Sequence, residues 1–379
     1  MISLKWNQLN AWRLSRHHLA PRLKRKDFVK AATRIGGVQA QVMSAAELAL
    51  WARVDGLSSQ DVKSALWKEH SLIKTWAMRG TLHLIPSSDL PLFVSARRMD
   101  GDRGWTNYFT YYGISPTQQA AFLEAVPQVL GAEPMTREQL AIAVAREARV
   151  PALRELIVTA NWGSPLKPSA FRGDLCFGPS QGQNVTFVNP KKWISTWREI
   201  EPMSALEEIV RMYLQAYGPA TIEDFSRWWW GGAGITMTKK VFKSLESELE
   251  EVNVEGWRAI ALTFTLKSIQ KMDISNTVRL LPLFDAYVLG LGRDLDPLLP
   301  ATLKNRVYRP QGWISAVVLV DGRMKGVWEY KTKGTQTTTV KISMFASAPR
   351  SLRQSIEAEA ERLGLFLKTK VVIEYEVMP

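Results

Sequence analysis

Helical patterns are followed by short alternating segments three times along most of the chain. Apolar residues spaced three and four apart indicate helices, and alternation of apolar and polar residues indicates strands. The helical patterns cover 27–35, 59–70, 154–160, 204–217, 221–230 and 238–251, with further helix starts at Ser44 and Thr136. The strand patterns cover 74–86, 174–177 with 184–188, and 257–266. Helices followed by a β element are the order of a winged helix-turn-helix, so three such units are predicted in tandem, although no strict sequence period repeats.

Several predicted helices begin with a local capping signal. A Ser or Thr followed three residues later by an acidic residue can form a capping box, in which the two side chains satisfy backbone N–H groups at the helix start. This pattern occurs at Ser44 with Glu47 and at Thr221 with Asp224, and further candidate caps are Ser58, Ser59 and Thr136. The signals predict helices that begin at these positions.

Beyond about residue 275 the pattern becomes rich in strands. Strands are predicted over 313–320, 323–330, 331–345 and 370–377, with a helix over 350–363. Asp321-Gly322 is a strong turn signal between the first two strands. The fold class is therefore α+β, with predicted domains over 1–118, 119–200 and 201–272 for the winged helices and 273–379 for a C-terminal β-rich region.

Composition fits a globular protein of several domains. The chain has 379 residues, 46% hydrophobic and 22% charged, with Cys176 as its one cysteine. A single cysteine excludes a disulfide framework and a cysteine-based metal cluster. Because no run of about 18 apolar residues exists and the N-terminus lacks a secretory signal, the sequence predicts a cytoplasmic, nucleoid-associated protein with no membrane partner.

The positive charge is large and unevenly distributed. The net charge is +13, which favours a polyanionic partner such as nucleic acid. Residues 1–34 hold nine Lys and Arg against one carboxylate, and residues 304–341 hold eight against two. Two basic regions far apart in sequence could converge on one groove, or they could be two solvated faces.

The segment Gln39-Ala40-Gln41 lies between the glycine pair Gly36-Gly37 and the predicted helix start at Ser44. In extended chain, residues i and i+2 point to the same side, whereas in a helix they diverge by roughly 200°. Two neutral amides are therefore expected on one face, beside the partial positive charge of a helix start. Taken alone, the pattern also fits a loop whose glutamines bond their own backbone.

Six segments in order resemble the AlkZ-like and YcaQ-like superfamily of crosslink-repair DNA glycosylases. They span nearly the whole chain and are VQAQ (38–41), RGTLHLIP (79–86), LCFGPSQGQNVTF (175–187), YGPATIEDFSRWW (217–229), LLPLFDAYVLG (280–290) and GWISAVVLVDGRMKGVW (312–328). The resemblance implies three tandem winged helices and a C-terminal β-rich part that form a concave basic surface. The YcaQ-like branch carries Gln-x-Asp where this chain has Gln-Ala-Gln, so the AlkZ-like branch is the closer match.

The resemblance implies a monofunctional DNA glycosylase that removes bulky alkylated purines, including purines joined in interstrand crosslinks. The substrate would be double-stranded DNA and the enzyme a monomer that needs no cofactor. Glycosidic hydrolysis commonly uses two carboxylates, and glutamine cannot replace their acid-base role. An N7- or N3-alkylated purine is already cationic, however, and Gln39 and Gln41 could orient the attacking water. The alternative is a non-enzymatic winged-helix DNA-binding protein such as a transcriptional regulator.

Basic residues outside the glutamine segment are candidate DNA contacts. Arg79 and His83 share one face of the strand pattern 74–86, and Arg306 and Arg309 flank Tyr308 in a manner that suits a groove-probing loop. The second basic region adds Lys331 and Lys333. The competing interpretation of the arginines is that they are plain solvated side chains. The competing interpretation of His83 is that it completes a strand edge.

Three other features either allow two interpretations or do not indicate a functional site. His17-His18 lacks carboxylate or cysteine companions, so no metal is expected. Asp285 could be a buried carboxylate that supports the site or part of a structural ion pair. The run Trp228-Trp229-Trp230 at helical spacing could be core packing or a base-stacking platform.

Overall fold

A computed structural model describes residues 1–101, 103–273, 276–333 and 336–377. The backbone groups into two compact units. The first compact unit combines residues 1–61 with 210–379, and the second covers 62–209. The four domains predicted from the pattern stay a prediction.

Short helices and strands alternate through the N-terminal part of the first compact unit. In chain order these elements are β1 (Ile2–Leu4), α1 (Trp6–Arg16), β2 (Leu23–Lys24), α2 (Phe28–Arg34), β3 (Val38–Gln39), α3 (Met43–Trp51) and β4 (Val54–Asp55). Helix α4 (Ser59–Trp67) then crosses into the second compact unit.

The second compact unit is mainly helical. Its elements are β5 (Leu72–Trp76), β6 (Leu82–Pro86), α5 (Leu90–Arg97), α6 (Arg103–Tyr111), α7 (Pro116–Val129), β7 (Met135–Thr136), α8 (Arg137–Glu147), α9 (Ala152–Thr159), α10 (Lys167–Phe171), β8 (Cys176–Gln181) and β9 (Asn184–Val188). Strands β5 and β6 pair antiparallel, as do β8 and β9. An apolar core that includes Phe109, Phe122 and Phe187 holds these elements together.

The chain returns to the first compact unit within the next helix. The remaining elements are α11 (Pro202–Tyr217), α12 (Ile222–Trp230), α13 (Ile235–Ser244), β10 (Leu249–Val254), β11 (Trp257–Leu262), α14 (Leu266–Gln270), β12 (Val278–Leu281), α15 (Ala286–Gly290), α16 (Lys304–Val307), β13 (Val317–Val320), β14 (Arg323–Lys333), β15 (Thr337–Met344), α17 (Arg350–Leu367) and β16 (Lys370–Val377). Strand β1 joins the β10–β11 hairpin in parallel with β10.

The α+β prediction is confirmed, although several element ends were placed wrongly. The strand predicted over 257–266 ends at Leu262, and the helix predicted over 59–70 ends at Trp67. Helices precede an antiparallel hairpin in each of the three predicted passes, at β5–β6, β8–β9 and β10–β11. The helix predicted over 238–251 ends at Ser244, and residues 249–254 form β10 instead. Among the described residues, no helix is both long and apolar enough to span a membrane.

The C-terminal sheet has the order β12-β13-β14-β15-β16, in which β16 is parallel to β15 and the other neighbours are antiparallel. Asp321 and Gly322 both have positive φ values, of 49° and 79°, as a tight hairpin turn requires. A Cβ at Gly322 would lie 2.7 Å from Asn10 Cβ. The predicted Asp-Gly turn is therefore confirmed, and it packs against α1.

The tryptophan run on α12 belongs to the core of the first compact unit. Trp228 is 3% exposed and Trp229 is fully buried. The Trp228 ring contacts Tyr213 and Tyr217 of α11, at 5.1 Å and 5.9 Å between ring centroids, and the Trp229 ring lies 6.0 Å from that of Trp228. Of the two readings of this run, the structure supports core packing.

Candidate functional site

The turn that leads into the glutamine segment is held in one conformation by α11 and α12. Tyr217 donates a hydrogen bond from its hydroxyl to the carbonyl of Ile35, at 2.7 Å. At Gly36, φ is +67°, and a Cβ would lie 2.9 Å from Cζ2 of Trp228. Only glycine fits this backbone and this close approach without strain. The path of the chain into β3 is therefore fixed by two buried aromatic residues.

The two glutamines differ in exposure. Gln39 ends β3 and is 9% exposed, Ala40 is fully buried, and Gln41 is exposed at a bend. The strand periodicity that would place both side chains on one face thus ends at Gln41. One amide is held in the protein and the other reaches solvent, two positions before α3 begins.

The capping box predicted at Ser44 and Glu47 is wrong. Helix α3 begins at Met43, its N-cap is Val42, and no side chain caps it. Ser44 is inside the first turn, and its hydroxyl hydrogen-bonds the hydroxyl of Tyr330 on β14, whose pKa is raised mainly by burial. The first backbone N–H groups of α3 therefore have no side-chain cap directly after Gln41.

A cleft of about 440 Å³ opens beside this helix start, within the first compact unit. Val42, which follows Gln41 directly, is one of its lining residues. Leu48, Pro282, Trp313 and Trp328 form apolar parts of the wall. Polar groups of the lining come from Ser44, Arg309, Ser315, Glu329, Tyr330, Lys341, Ser343 and Glu376.

A short loop carries Arg309 and Trp313 to the cleft. A β-bridge between Tyr308 and Ile314 closes the loop, and the Arg309 N–H donates to the carbonyl of Trp313 at 2.8 Å. Trp313 is 45% exposed, and its ring lies 5.1 Å from that of Phe284. The loop therefore presents an aromatic ring and a guanidinium on one wall of the cleft.

Lys331 and Lys333 lie on a neighbouring groove. Both are exposed on β14, and both line the groove together with Tyr330 and Lys341, which also line the cleft. Arg306 is exposed at the end of α16. Gln39 and Gln41 themselves are not among the lining residues of either surface, and Val42 is the nearest residue that is. The first compact unit therefore brings the residue that follows the glutamine segment, Arg309 and the two lysines to adjoining surfaces.

Arg79 and His83 belong to the second compact unit. Arg79 lies in the β5–β6 turn with a φ of 57°, and its Nη2 is 3.4 Å from Nε2 of His83. Nδ1 of His83 donates to the carbonyl of Thr81 at 2.9 Å, which leaves Nε2 as the acceptor. Burial, and then the charge of Arg79, lower the pKa of His83 to about 3. His83 is therefore a neutral, 1% exposed imidazole that supports Arg79.

Comparisons with known proteins match the chain over nearly its whole length. The profile of the family described as DNA glycosylase AlkZ-like matches residues 32–366. The chain belongs to the AlkZ-like DNA glycosylases. An interstrand DNA cross-link repair glycosylase of Streptomyces sahachiroi is 37% identical over 366 residues, which cover 96% of each chain. The solved structure of the Streptomyces sahachiroi DNA glycosylase AlkZ has a TM-score of 0.88 at 32% identity, and the match covers 99% of this chain and 100% of that one.

This AlkZ-like DNA glycosylase is therefore an enzyme that hydrolyses N-glycosyl bonds in DNA. The family assignment made from the ordered sequence segments is confirmed. This assignment replaces the alternative of a non-enzymatic DNA-binding regulator.

The sequence alone left the role of Asp285 open. Asp285 forms a two-point ion pair with Arg53, and both side chains are fully buried. Of the two readings of Asp285, the ion pair is the one found. Arg53 Nη2 also lies 3.4 Å from Nδ1 of His17, so a cation already lies against that histidine. The signal that could have found this pair was an Arg at the end of an otherwise apolar helix.

Proposed function

We propose that the enzyme hydrolyses the N-glycosidic bond of cationic N7- or N3-alkylated purines, with Gln39 and Gln41 positioning the attacking water. Purines joined in interstrand crosslinks are included, since the related Streptomyces sahachiroi protein is an interstrand DNA cross-link repair glycosylase. The observation that carries the proposal is the placement of this amide pair between a conformationally fixed turn and the start of α3, beside an open cleft.

Water positioning suits one buried and one exposed amide. A glutamine carbonyl accepts a hydrogen bond from water, and its NH2 group donates to a nearby oxygen. Gln39 supplies a fixed partner because only 9% of it is exposed, whereas Gln41 can reach the substrate. Holding a water in attack geometry removes part of the entropic barrier, which is worth several kcal/mol in well-oriented systems, up to about 7–11 kcal/mol.

The chemistry of the leaving group sets the substrate class. A cationic alkylated purine departs as a neutral base and needs no proton, whereas an unmodified purine needs an acid. The Glu376 carboxylate in the cleft cannot supply one near neutral pH, because hydrogen bonds from Ser343 and Lys341 lower its pKa. Discrimination against undamaged DNA follows from this arrangement.

DNA is proposed to lie along the cleft and the adjoining groove. Exposed cations at Arg306, Arg309, Lys331 and Lys333 suit phosphate contacts. In the second compact unit, Arg79 is proposed to contact DNA while His83 supports it. We further propose a monomer that uses no metal and leaves an abasic site.

The test uses a duplex with one N7-methylguanine and a second duplex with an N7-linked interstrand crosslink. Base release is followed by alkaline cleavage at the abasic site, and DNA affinity is measured in parallel. Gln39→Ala and Gln41→Ala should each lower the single-turnover rate at least about a hundredfold, or about 2.7 kcal/mol, with DNA affinity within about threefold of the parent. The matched control is Gln354→Ala, an exposed glutamine of α17 that lines neither the cleft nor the groove. Full rates in both site variants would disprove the role of the glutamines.

A further inference from the structure

A second cavity lies in the second compact unit and shares no residue with the cleft beside the glutamines. Its volume is about 370 Å³, within the range of small-molecule sites. We propose that this cavity binds one unpaired nucleotide, with the base against Phe171 and Trp105 and the phosphate held by Arg98, Arg172 and Lys191. The proposal goes beyond the excision reaction and does not depend on it.

The floor of the cavity is aromatic. Phe171 ends α10 and is half-buried, and the ring of Trp105 lies 5.8 Å from it between centroids. The guanidinium of Arg97 lies 4.2 Å from the Phe171 ring centroid. Arg97 is itself held by Asp100, at 2.8 Å, and by a hydrogen bond to the carbonyl of Ala77. A nucleic acid base can stack on such rings, since every base has a π face.

The rim of the cavity is cationic and organised by one carboxylate. Asp174, with a side chain that is 7% exposed, lies 2.9 Å from Lys191 Nζ and 3.3 Å from Arg172 Nε. Lys191 and Arg172 remain 36% and 52% exposed. One buried carboxylate thus orients two cations, which leaves a surplus positive charge at the opening.

The backbone between these groups has little freedom. Gly173 has a φ of +73°, and a Cβ there would lie 2.7 Å from Cη2 of Trp197. Lys191 in turn lies over the Trp197 ring, 5.2 Å from its centroid. The rim is therefore built in advance of binding, which lowers the entropic cost of holding an anion.

The combination of ring and cations selects a nucleotide. Arg98 also pairs with Glu199 at 3.1 Å, so four cations stand against three carboxylates around the cavity. A simple anion would leave the aromatic rings uncovered, and a neutral aromatic would leave this surplus positive charge unbalanced. Among the described residues that line the cavity, Arg97, Arg98, Arg172 and Lys191 stand against Asp100 and Asp174. A nucleoside monophosphate supplies one π face and one anion at this scale. It could come from an unpaired position in a DNA strand or from free nucleotide.

The experiment measures binding of the full chain to an end-labelled, undamaged single-stranded oligonucleotide and to labelled deoxyguanosine monophosphate, across a series of salt concentrations. Phe171→Leu removes the ring and keeps an apolar side chain, and Arg172→Gln removes one rim charge. The matched control is Arg154→Gln, which removes a 59% exposed arginine of the same compact unit that pairs with Glu138 outside the cavity.

Phe171→Leu should weaken oligonucleotide binding about tenfold without changing the salt slope, because stacking is worth about 1–3 kcal/mol per base. Arg172→Gln should reduce that slope by about 0.7, the value for one phosphate of a single strand. If free deoxyguanosine monophosphate also binds and loses affinity in the same variants, the cavity accepts soluble nucleotide as well. If only the oligonucleotide binds, the nucleotide in the cavity comes from a DNA strand.

Equal behaviour of Phe171→Leu, Arg172→Gln and Arg154→Gln would overturn the proposal. Gln39→Ala is expected to bind the oligonucleotide as the parent does. The nucleotide cavity and the proposed excision chemistry can therefore fail separately.

Discussion

Arg53 and Asp285 form an ion pair that solvent does not reach, with Nη1 2.7 Å from Oδ2 and Nη2 2.8 Å from Oδ1. The pair joins the end of α3 to the start of α15, where Asp285 also accepts from the N–H of Tyr287. Pro282 and Leu283, three and two positions before Asp285, line the cleft. The ion pair thus connects the part of the cleft wall that contains Pro282 and Leu283 to the end of α3.

Asp285→Asn should destabilise the first compact unit strongly. Removing one member of a buried ion pair leaves an uncompensated charge and costs about 3–5 kcal/mol. Urea unfolding followed by far-UV circular dichroism measures the effect. Glu138→Gln breaks the exposed pair with Arg154 and should cost less than about 1 kcal/mol. Similar midpoints for the two variants would contradict this role of the buried pair.

Trp313→Ala should affect large lesions more than small ones. The indole is 45% exposed on the cleft wall and packs at a tilt of 41° against Phe284, so it can contact the bulk of an adduct. We expect the excision rate of a bulky aromatic N7 adduct to fall about tenfold, which is about 1.4 kcal/mol of lost contact. Excision of N7-methylguanine should change much less, and equal losses on both substrates would count against such a contact.

Arg309→Gln and Lys333→Gln should each change the salt dependence of duplex binding. One lost phosphate contact reduces the slope of log affinity against log salt by about 0.9 on B-form DNA. Titrations of an undamaged duplex at several salt concentrations measure it. Arg154→Gln serves again as a surface control, and its slope should equal that of the parent. Unchanged slopes for Arg309→Gln and Lys333→Gln would place the DNA elsewhere.

Acid should destabilise the protein through His83. Burial, followed by the charge of Arg79, lowers its pKa from 6.5 to about 3 in the folded chain, so the unfolded chain binds the proton more tightly. The stability from this group is present above about pH 6.5 and is lost as the pH falls towards 3, with a slope of up to about 1.4 kcal/mol per pH unit.

Urea midpoints measured from about pH 7 to about pH 4 test this slope. His83→Asn should flatten the decline, whereas His70→Asn, at a half-exposed position in the same compact unit, should retain most of it. His17, whose pKa is lowered well below its usual value by burial and Arg53, adds a second such group in the first compact unit. A parental decline in His83→Asn would show that His83 is not its source.

Local signals predicted the helix starts well where the cap and its partner lie in one turn. Thr221 forms the expected capping box with Asp224, and Thr136 is a helix cap as expected, in a box that Gln139 completes. Ser44 has the same spacing to Glu47, but its hydroxyl bonds Tyr330 instead. A partner nearly three hundred positions away leaves no trace in a local pattern, and this is why the prediction failed there.

The candidate site was predictable in part. The glutamine segment, Arg309 and the two lysines of β14 stood out by spacing and charge. The structure brings Val42, which follows that segment, together with Arg309 and the two lysines to adjoining surfaces of one compact unit. The differing exposure of Gln39 and Gln41 was not predictable, because it depends on a bend after β3. Neither was the pairing of Asp285 with Arg53, since charge alone does not identify a partner 232 positions away.

The close approach of Gly36 to Trp228 links two positions that are distant in sequence. Alanine at position 36 would place a methyl group 2.9 Å from the indole, which should displace the glutamine segment. A smaller ring, as in Trp228→Phe, would make room for that methyl group, although the strain of a positive φ would remain. A genetic screen for suppressors of Gly36→Ala is therefore expected to recover changes at position 228, and the two positions should covary among relatives.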